Sequence, residues 1–363
     1  MTQRERQLLN WIEENPLISQ QELAEKAGIT RSSVAVHISN LMKKGCIAGK
    51  GYIVRTAPYA AVVGGVNMDV GGWPAEVPVP RDSNPGRVRM SLGGVGRNIA
   101  HNMALMGLDV RLVTVFGDDL NARKIAAGCA EVGIDVSQSP FLPGEHTSTY
   151  LFITDEEGDM ALAVSDMEIY ERLTPQFLAQ RQKLLDGAQV VVADTNPPAE
   201  ALAYLADHCA APIFCDPVST AKAEKLRPIL GKLHTLKPNR IEAELLSGVE
   251  IRDEKSLRRA ADALLETGLR RVFISLGGDG VFAADHHAAV QLPVIPGSMV
   301  NTTGCGDAFM AAITWAYLRG SDLEETARLG LAASSIAMES GETINPAMQA
   351  DELCRRAEVC KAL

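Results

Sequence analysis

Hydrophobic positions change their period partway along this chain. In residues 4–15, Leu8, Leu9, Trp11 and Ile12 recur on one face at helical spacing, which predicts a first helix. Ser19 stands before QELAEKAG with Glu22 three positions on, a capping-box start for a second helix that Gly28 ends. Thr30 opens a third, RSSVAVHISNLMKKG, with an apolar stripe of Val34, Ile38, Leu41 and Met42, stopped by Gly45. CIAGKGYIV then offers two short extended pieces around Gly49 and Gly51, a hairpin, and residues 55–59 read as a linker. From residue 60 the runs AAVVGGV, VRLVTVFG, AQVVVAD, APIFCD, LHTLKP and RRVFISLGG alternate with helical patterns at 98–107, 121–132, 199–209, 241–247 and 256–268. Short apolar strands separated by helices predict βαβ units and a mostly parallel sheet. Residues 73–92 and 145–167 break that rhythm, alternating polar and apolar positions among turn residues. They predict strands of a small separate sheet, a lid able to keep water from a reactive group.

Length and charge divide the chain in the same place. At 363 residues it has room for two or three domains. The net charge of −10 excludes a nucleic-acid coat, yet residues 1–57 hold eight Lys and Arg against five Glu, a net +3 that leaves −13 on the rest. A basic head of residues 1–55 on an acidic body of residues 58–363 suggests two tasks. Seven scattered cysteines with no C-x-x-C pair, no apolar signal core and no long apolar run predict a cytoplasmic protein without a membrane partner. The histidines show no metal-ligand spacing.

The candidate chemistry lies in glycine-rich helix starts. In VNTTGCGDAFMAAITWAYL (300–318), Gly304, Cys305 and Gly306 precede an apolar helix, where small residues let amides converge on one anion at the positive end of the helix. Asp307 follows in the first turn, placed either as a general base or as a simple N-terminal cap. In SLGGVGRNIAHNMALMG, Gly93, Gly94 and Gly96 open a second helix and Asn98 can exchange hydrogen bonds with hydroxyls. This differs from a dinucleotide loop because it follows a lid-like strand. GGVNMDV places Asn67 and Asp69 where the first strand leaves the sheet, the end at which open α/β sheets bind ligands; Asp69 there is either a hydroxyl ligand or a turn residue. LKPNRIEAELLSG sets Asn239 and Glu242 three apart at a helix start, either ordering water and Mg²⁺ or capping the helix. VFISLGGDGVFAAD ends a strand at Ser275 and Gly277, where exposed backbone meets a nucleotide or makes a turn.

Two resemblances follow. The first 55 residues resemble the winged helix-turn-helix heads of bacterial transcription regulators. That likeness implies DNA contacts from Arg31, Ser32, Ser33 and His37 on the third helix and from Lys50 on the wing; a small helical interaction module is the alternative. Residues 58–350 resemble the ribokinase-like, or PfkB, carbohydrate kinases, through G-G-x-G-x-N at 93–98, N-x-x-E at 239–242 and T-G-x-G-D at 303–307 in that order. This likeness implies an α/β fold, a Rossmann-type three-layer sandwich with a small β lid, using ATP and Mg²⁺. It implies that Asn67, Asp69, Gly93, Gly94 and Asn98 hold a sugar, with Asn196 a looser match. It further implies that Asp307 deprotonates a primary hydroxyl, that the amides of 304–306 hold the phosphoryl group, and that Ser275 and Gly277 lie by the nucleotide. Glu242 would reach Mg²⁺ through water. Asn301 stands where relatives often carry Asp near a monovalent-cation site, which counts against K⁺ dependence, and Cys305 replaces a usual Ala. GGVGRNIA, STYLFITDEEGDMALAVSDM, DPVSTAKA and ETINPAM look like the pseudouridine-kinase branch, with Asp166 placed either toward a base or at a solvated lid edge. The expectation is a nucleoside or sugar kinase, homodimeric by analogy; the alternative is a transcription regulator whose kinase-like body only senses a ligand.

Overall fold

The structure, a computed structural model, describes residues 1–47, 58–157 and 159–361. The chain forms two compact units, Met1–Pro58 and Tyr59–Leu363.

In the first unit three helices, Gln3–Glu14, Gln20–Ala27 and Arg31–Lys43, start where side chains satisfy free amides. Ser19 and Glu22 form the expected reciprocal capping box, Thr2 and Glu5 form another, and Gly28 closes the second helix at φ 62°. Leu8, Ile12, Leu23, Val34, Ile38 and Leu41 make the core, joined by Ile47. Met42, expected in that stripe, is 46% exposed, because the helical period puts Val34, Ile38 and Leu41 inward and turns position 42 away. Buried Glu5 pairs with Lys44 at 2.7 Å, and that hydrogen bond above all holds its carboxyl down at about 2. The hairpin expected around Gly49 and Gly51, with Lys50, lies outside the described residues.

The second unit is built on an eight-stranded sheet. From one edge its order is Ala289–Leu292, Val281–Asp285, Arg271–Ser275, Thr235–Leu236, Ile213–Asp216, Val190–Asp194, Ala60–Val63 and Val110–Val113. The six strands from Arg271–Ser275 onward run parallel; the two at the other edge are antiparallel. Central strands read as unbroken apolar runs because helices cover both faces. One face packs under Val95–Leu105, Cys305–Leu318 and Leu323–Met338, the other under Ala199–His208 and Glu254–Glu266.

A separate four-stranded sheet has the order Gly86–Gly93, Asn67–Pro74, Thr149–Thr154, Met160–Asp166. It begins six residues earlier than the sequence pattern suggested, so Asn67 and Asp69 sit on its first strand rather than at the end of a main-sheet strand. Within 73–92, residues 75–85 are not strand; Pro78, Pro80 and Pro85 fall there and cannot donate to a ladder. Strand register puts Met90, Val70, Leu151 and Val164 in one row and Val88, Gly72, Ile153 and Leu162 in the next. Met90, Val88, Leu162 and Val164 are each more than half exposed, an apolar face on the side opposite Asp69.

Candidate active site

Strand ends and helix starts converge at the carboxyl edge of the main sheet. Asp194, fully buried at the end of its strand, accepts the amides of Gly65 and Gly96 on Oδ2 and of Asn196 on Oδ1, each at 2.8 Å. It ties three chain segments into one floor, and burial pushes its carboxyl up despite those bonds. Gly94 has φ 97°, and a Cβ there would lie 2.5 Å from the Gly65 carbonyl oxygen. A Cβ on Gly93 would lie 2.3 Å from Asp69 Oδ2. These glycines therefore let the lid carboxylate and the Gly64–Gly65 turn close onto the helix Val95–Leu105. Asn67 donates to Asp69 Oδ1 at 2.5 Å, and burial raises Asp69 to about 6 against the help of Asn67 and Arg97.

Asn98 then reaches across the chain, donating from Nδ2 to Asp307 Oδ2 at 2.9 Å over 209 residues of sequence. The two glycine-rich motifs are thus one site. Gly304 takes φ 84° against the Thr343 carbonyl, and the helix Cys305–Leu318 starts immediately after it with no side-chain cap. Cys305 N–H is turned to Thr302 O at 3.3 Å, so the expected cradle is shifted: among the described residues the amides of Gly304, Gly306 and Asp307 have no protein acceptor. Asp307 is half-buried at this helix start. Burial first, then Asp216, pushes it up to about 8, against Asn98 and Lys237.

Four charged groups at this centre, Asp194 among them, were not singled out from the sequence. Lys237 is buried, pairs with buried Asp216 at 3.1 Å, and brings Nζ within 3.2 Å of where a Cβ on Gly306 would lie. Burial opposes its charge, but Asp216, Glu242 and Asp307 keep the ammonium protonated. Arg97, 5% exposed, donates to Leu92 O, Asn98 Oδ1 and His101 Nδ1. Asp194 and Asp216 both end main-sheet strands, so the strand-end rule applied to every strand would have found them. Lys237 stands two residues before Asn239 inside a motif already in view.

Asn239 and Glu242 form a capping box at the start of Arg240–Ser247. Glu242 Oε2 accepts the Asn239 amide at 2.9 Å, its other oxygen has no donor among the described residues, and burial raises its carboxyl. Ser275 pairs beside Asn239, its amide donating to Pro238 O at 2.9 Å, and Gly277 turns the chain away at φ 62°. These two motifs are therefore adjacent. Asn196 accepts from Lys222 at 2.6 Å, which turns its carbonyl oxygen toward that lysine. Asp166 is exposed on the lid and paired opposite Thr149. Strand alternation puts it on the face opposite that of Asp69 and Ser165, so it is not brought to the others. Among the described residues no group of three or more His, Cys, Asp or Glu side chains is placed to hold a metal directly. No described helix is long and apolar enough to cross a membrane.

In the first unit Arg31 and Ser32 are exposed at the start of the third helix, with Thr30 hydrogen-bonded to Ser32 and Ser33 at 2.9 Å. His37, expected on the exposed face, is half-buried with Nδ1 inside and without a partner among the described residues.

A half-buried carboxylate beside a helix-tip amide nest and a buried ammonium, under a β lid, defines a phosphotransferase with an alcohol acceptor. Residues 57–350 match the pfkB family of carbohydrate kinases, and the chain belongs to that family. Residues 1–48 match the winged helix-turn-helix DNA-binding family. Among curated relatives, the Escherichia coli "Uncharacterized sugar kinase YeiI" is 40% identical over 97% of this chain and 98% of its own. The Escherichia coli pseudouridine kinase is 38% identical over 81% and 94%. A solved carbohydrate kinase from Agrobacterium tumefaciens superposes with TM-score 0.74 at 26% identity, covering 84% of this chain and 98% of that one. Arabidopsis thaliana ribokinase, solved with ribose and ATP, shares the fold at TM-score 0.75 and 20% identity, over 84% and 99%.

Proposed function

We propose that this sugar or nucleoside kinase phosphorylates the primary 5′-hydroxyl of a ribose-containing substrate, pseudouridine or a close nucleoside, using ATP. The observation that carries it is Asp307, held by Asn98 from the sugar-side helix and flanked by Lys237 and open amides at one helix tip. The Asp307 carboxylate takes the hydroxyl proton as that oxygen attacks the γ-phosphorus. The new O–P bond forms as the bond to the ADP leaving oxygen breaks. Charge spreading over the phosphoryl oxygens meets the amides of Gly304, Gly306 and Asp307 and the Lys237 ammonium. Asn67, Asp69, Asn98 and, across the floor, Asn196 orient the sugar, with Gly93 and Gly94 allowing that closure. Ser275 and Gly277 border the nucleotide.

The free oxygen of Glu242, deep beside Asp216, fits a Mg²⁺ held through water. A Mg²⁺ held there would supply positive charge against the phosphate tail. Asn301 offers a neutral amide whose Oδ1 already accepts the Thr303 amide, which speaks against a K⁺ requirement. The pseudouridine reading draws on the 38% relative of that name. The domains are residues 1–55 and 58–363, and a second copy packs on the exposed apolar lid face.

The test is a panel of ribose, ribonucleosides and pseudouridine with ATP, scored by ADP release in wild type and Asp307→Asn. Full turnover by a folded Asp307→Asn variant would remove the base from its role.

A second reading, supported by the match of residues 1–48, is that the same chain binds DNA through Arg31, Ser32, Ser33 and Lys50. Phosphate contacts make such binding fall steeply with salt. Absence of duplex binding at low salt defeats it.

A further inference from the structure

We propose that Arg97 is a positioning residue for the catalytic base, fixing the Asn98 amide so that its NH₂ always faces Asp307. The inference rests on the reading of Asp307 as base and adds a control on its protonation.

Arg97 sits one residue before Asn98 in the first turn of Val95–Leu105, and its guanidinium is buried. Nη1 donates to Leu92 O at 2.7 Å and to Asn98 Oδ1 at 3.0 Å; Nη2 meets His101 Nδ1 at 2.9 Å. A guanidinium has donors only, so the amide oxygen of Asn98 must face it. The NH₂ is then left for Asp307 Oδ2, 2.9 Å away on the other side. The Asn98 carbonyl is held in turn by Asn102 Nδ2 at 3.0 Å, so the backbone under this side chain is fixed too. The same logic assigns His101: Nδ1 accepts and the ring proton is on Nε2. Burial and the neighbouring guanidinium lower His101 to about 4, so the ring stays neutral.

An amide NH₂ stabilises an ionised carboxylate and opposes a protonated one. Were Asp307 to take up a proton, Asn98 could help only by flipping its oxygen toward it. That flip would press NH₂ against the guanidinium. Arg97 forbids it, and so biases Asp307 toward the form that accepts a proton. The other groups facing Asp307 are Asp216 and Asp194, which oppose ionisation, and Lys237, which favours it. Arg97 itself feels Cys129, Asp69 and Asp307. Its Nε is buried with no partner, a cost that an apolar side chain filling the same space would not carry.

The experiment compares full-length wild type with Arg97→Met, Arg97→Lys, Asn98→Ala and the Arg97→Met/Asn98→Ala double variant. Single-turnover rate and KM are measured from pH 6 to 9 on the best acceptor from the panel, alongside thermal stability. Arg97→Met is expected to lower the rate about tenfold at neutral pH, and to move its acidic limb up by about one pH unit, with KM changed less than about threefold. Asn98→Ala moves the limb in the same direction, and adding Arg97→Met to it moves the limb no further. Arg97→Lys, which can still donate to Leu92 O and Asn98 Oδ1, restores the limb. An unmoved limb in folded Arg97→Met, or a further movement in the Asn98→Ala background, overturns the proposal. If Arg97→Met does not fold, Arg97→Gln, which can adapt to either amide orientation, takes its place with the same expectations. Should Asp307→Asn retain full turnover, the base assignment fails instead, a result that these variants cannot mimic.

Discussion

Asp307→Asn should stabilise the ligand-free protein, and by an amount that grows with pH. An unfolded chain loses this proton near pH 4, whereas burial and Asp216 hold it in the folded state up to about 8. Between those values the folded state binds more protons than the unfolded one, so stability falls as pH rises, and levels off above 8. The whole gap sets a ceiling of roughly 5 kcal/mol at 1.36 kcal/mol per pH unit. Asp307 is half-buried rather than fully enclosed, so water screens part of the penalty and roughly 1–3 kcal/mol is expected at pH 8. Asparagine keeps the shape and cannot titrate. Urea unfolding followed by tryptophan fluorescence at pH 5, 6.5 and 8 should therefore show the variant gaining on wild type at each step. Phosphoryl transfer should fall at least about a hundredfold at pH 8, where the wild-type carboxylate is ionised, and by less as pH falls and protonation silences the base in the wild type too. Asp194 and Glu242 are also raised, but they titrate in both proteins and cancel from the difference. A gain equal at pH 5 and pH 8, or a loss at pH 8, would refute the claim that this site holds a destabilised carboxyl.

Lys237→Met should cost about a hundredfold in rate and also leave Asp216 buried without its partner, destabilising by about 3–5 kcal/mol. Adding Asp216→Asn should return most of the stability and none of the rate; recovery of both in the double variant would assign the pair to the scaffold alone. Gly94→Ala forces a Cβ to within 2.5 Å of the Gly65 carbonyl at φ 97°, so a KM for the acceptor raised at least about tenfold is expected, with reduced melting temperature. Unchanged KM and stability would mean that the turn moves freely. Val164→Lys with Leu162→Lys on the exposed lid face should convert a dimer to monomer in light scattering; a wild type that is already monomeric removes that surface from the account.

The sequence pattern exposed what depends on period and on local turn chemistry. Main-sheet strands such as Val190–Asp194 carry their own apolar signature, and Ser19 with Glu22 or Asn239 with Glu242 advertise helix starts within four residues. Asp307 and Asn98 were legible for the same reason, each lying beside glycines that open a helix. What stayed hidden is tertiary. Lys237 and Asp216 matter because neighbouring strands bring them to 3.1 Å, and no spacing along the chain encodes that pairing. Asp166 shows the limit from the other side: its strand was anticipated, but a period of two decides which face it joins, and only pairing with Thr149 fixes that.

The glycines of the 93–96 loop teach a related point. Their sequence suggests room left for a ligand, yet Gly93 and Gly94 make room first for Asp69 and the Gly65 carbonyl. The same small residues thereby bring a lid carboxylate, a strand-end turn and a helix start together. Arg97 follows from this closure, because a cation becomes tolerable in that interior only once Leu92, Asn98 and His101 are gathered around it. The Asp307 carboxylate and the Asn98 amide that faces it are in this sense one packing solution, written in residues far apart in the chain and assembled only when the lid strand and both glycine-rich helices meet.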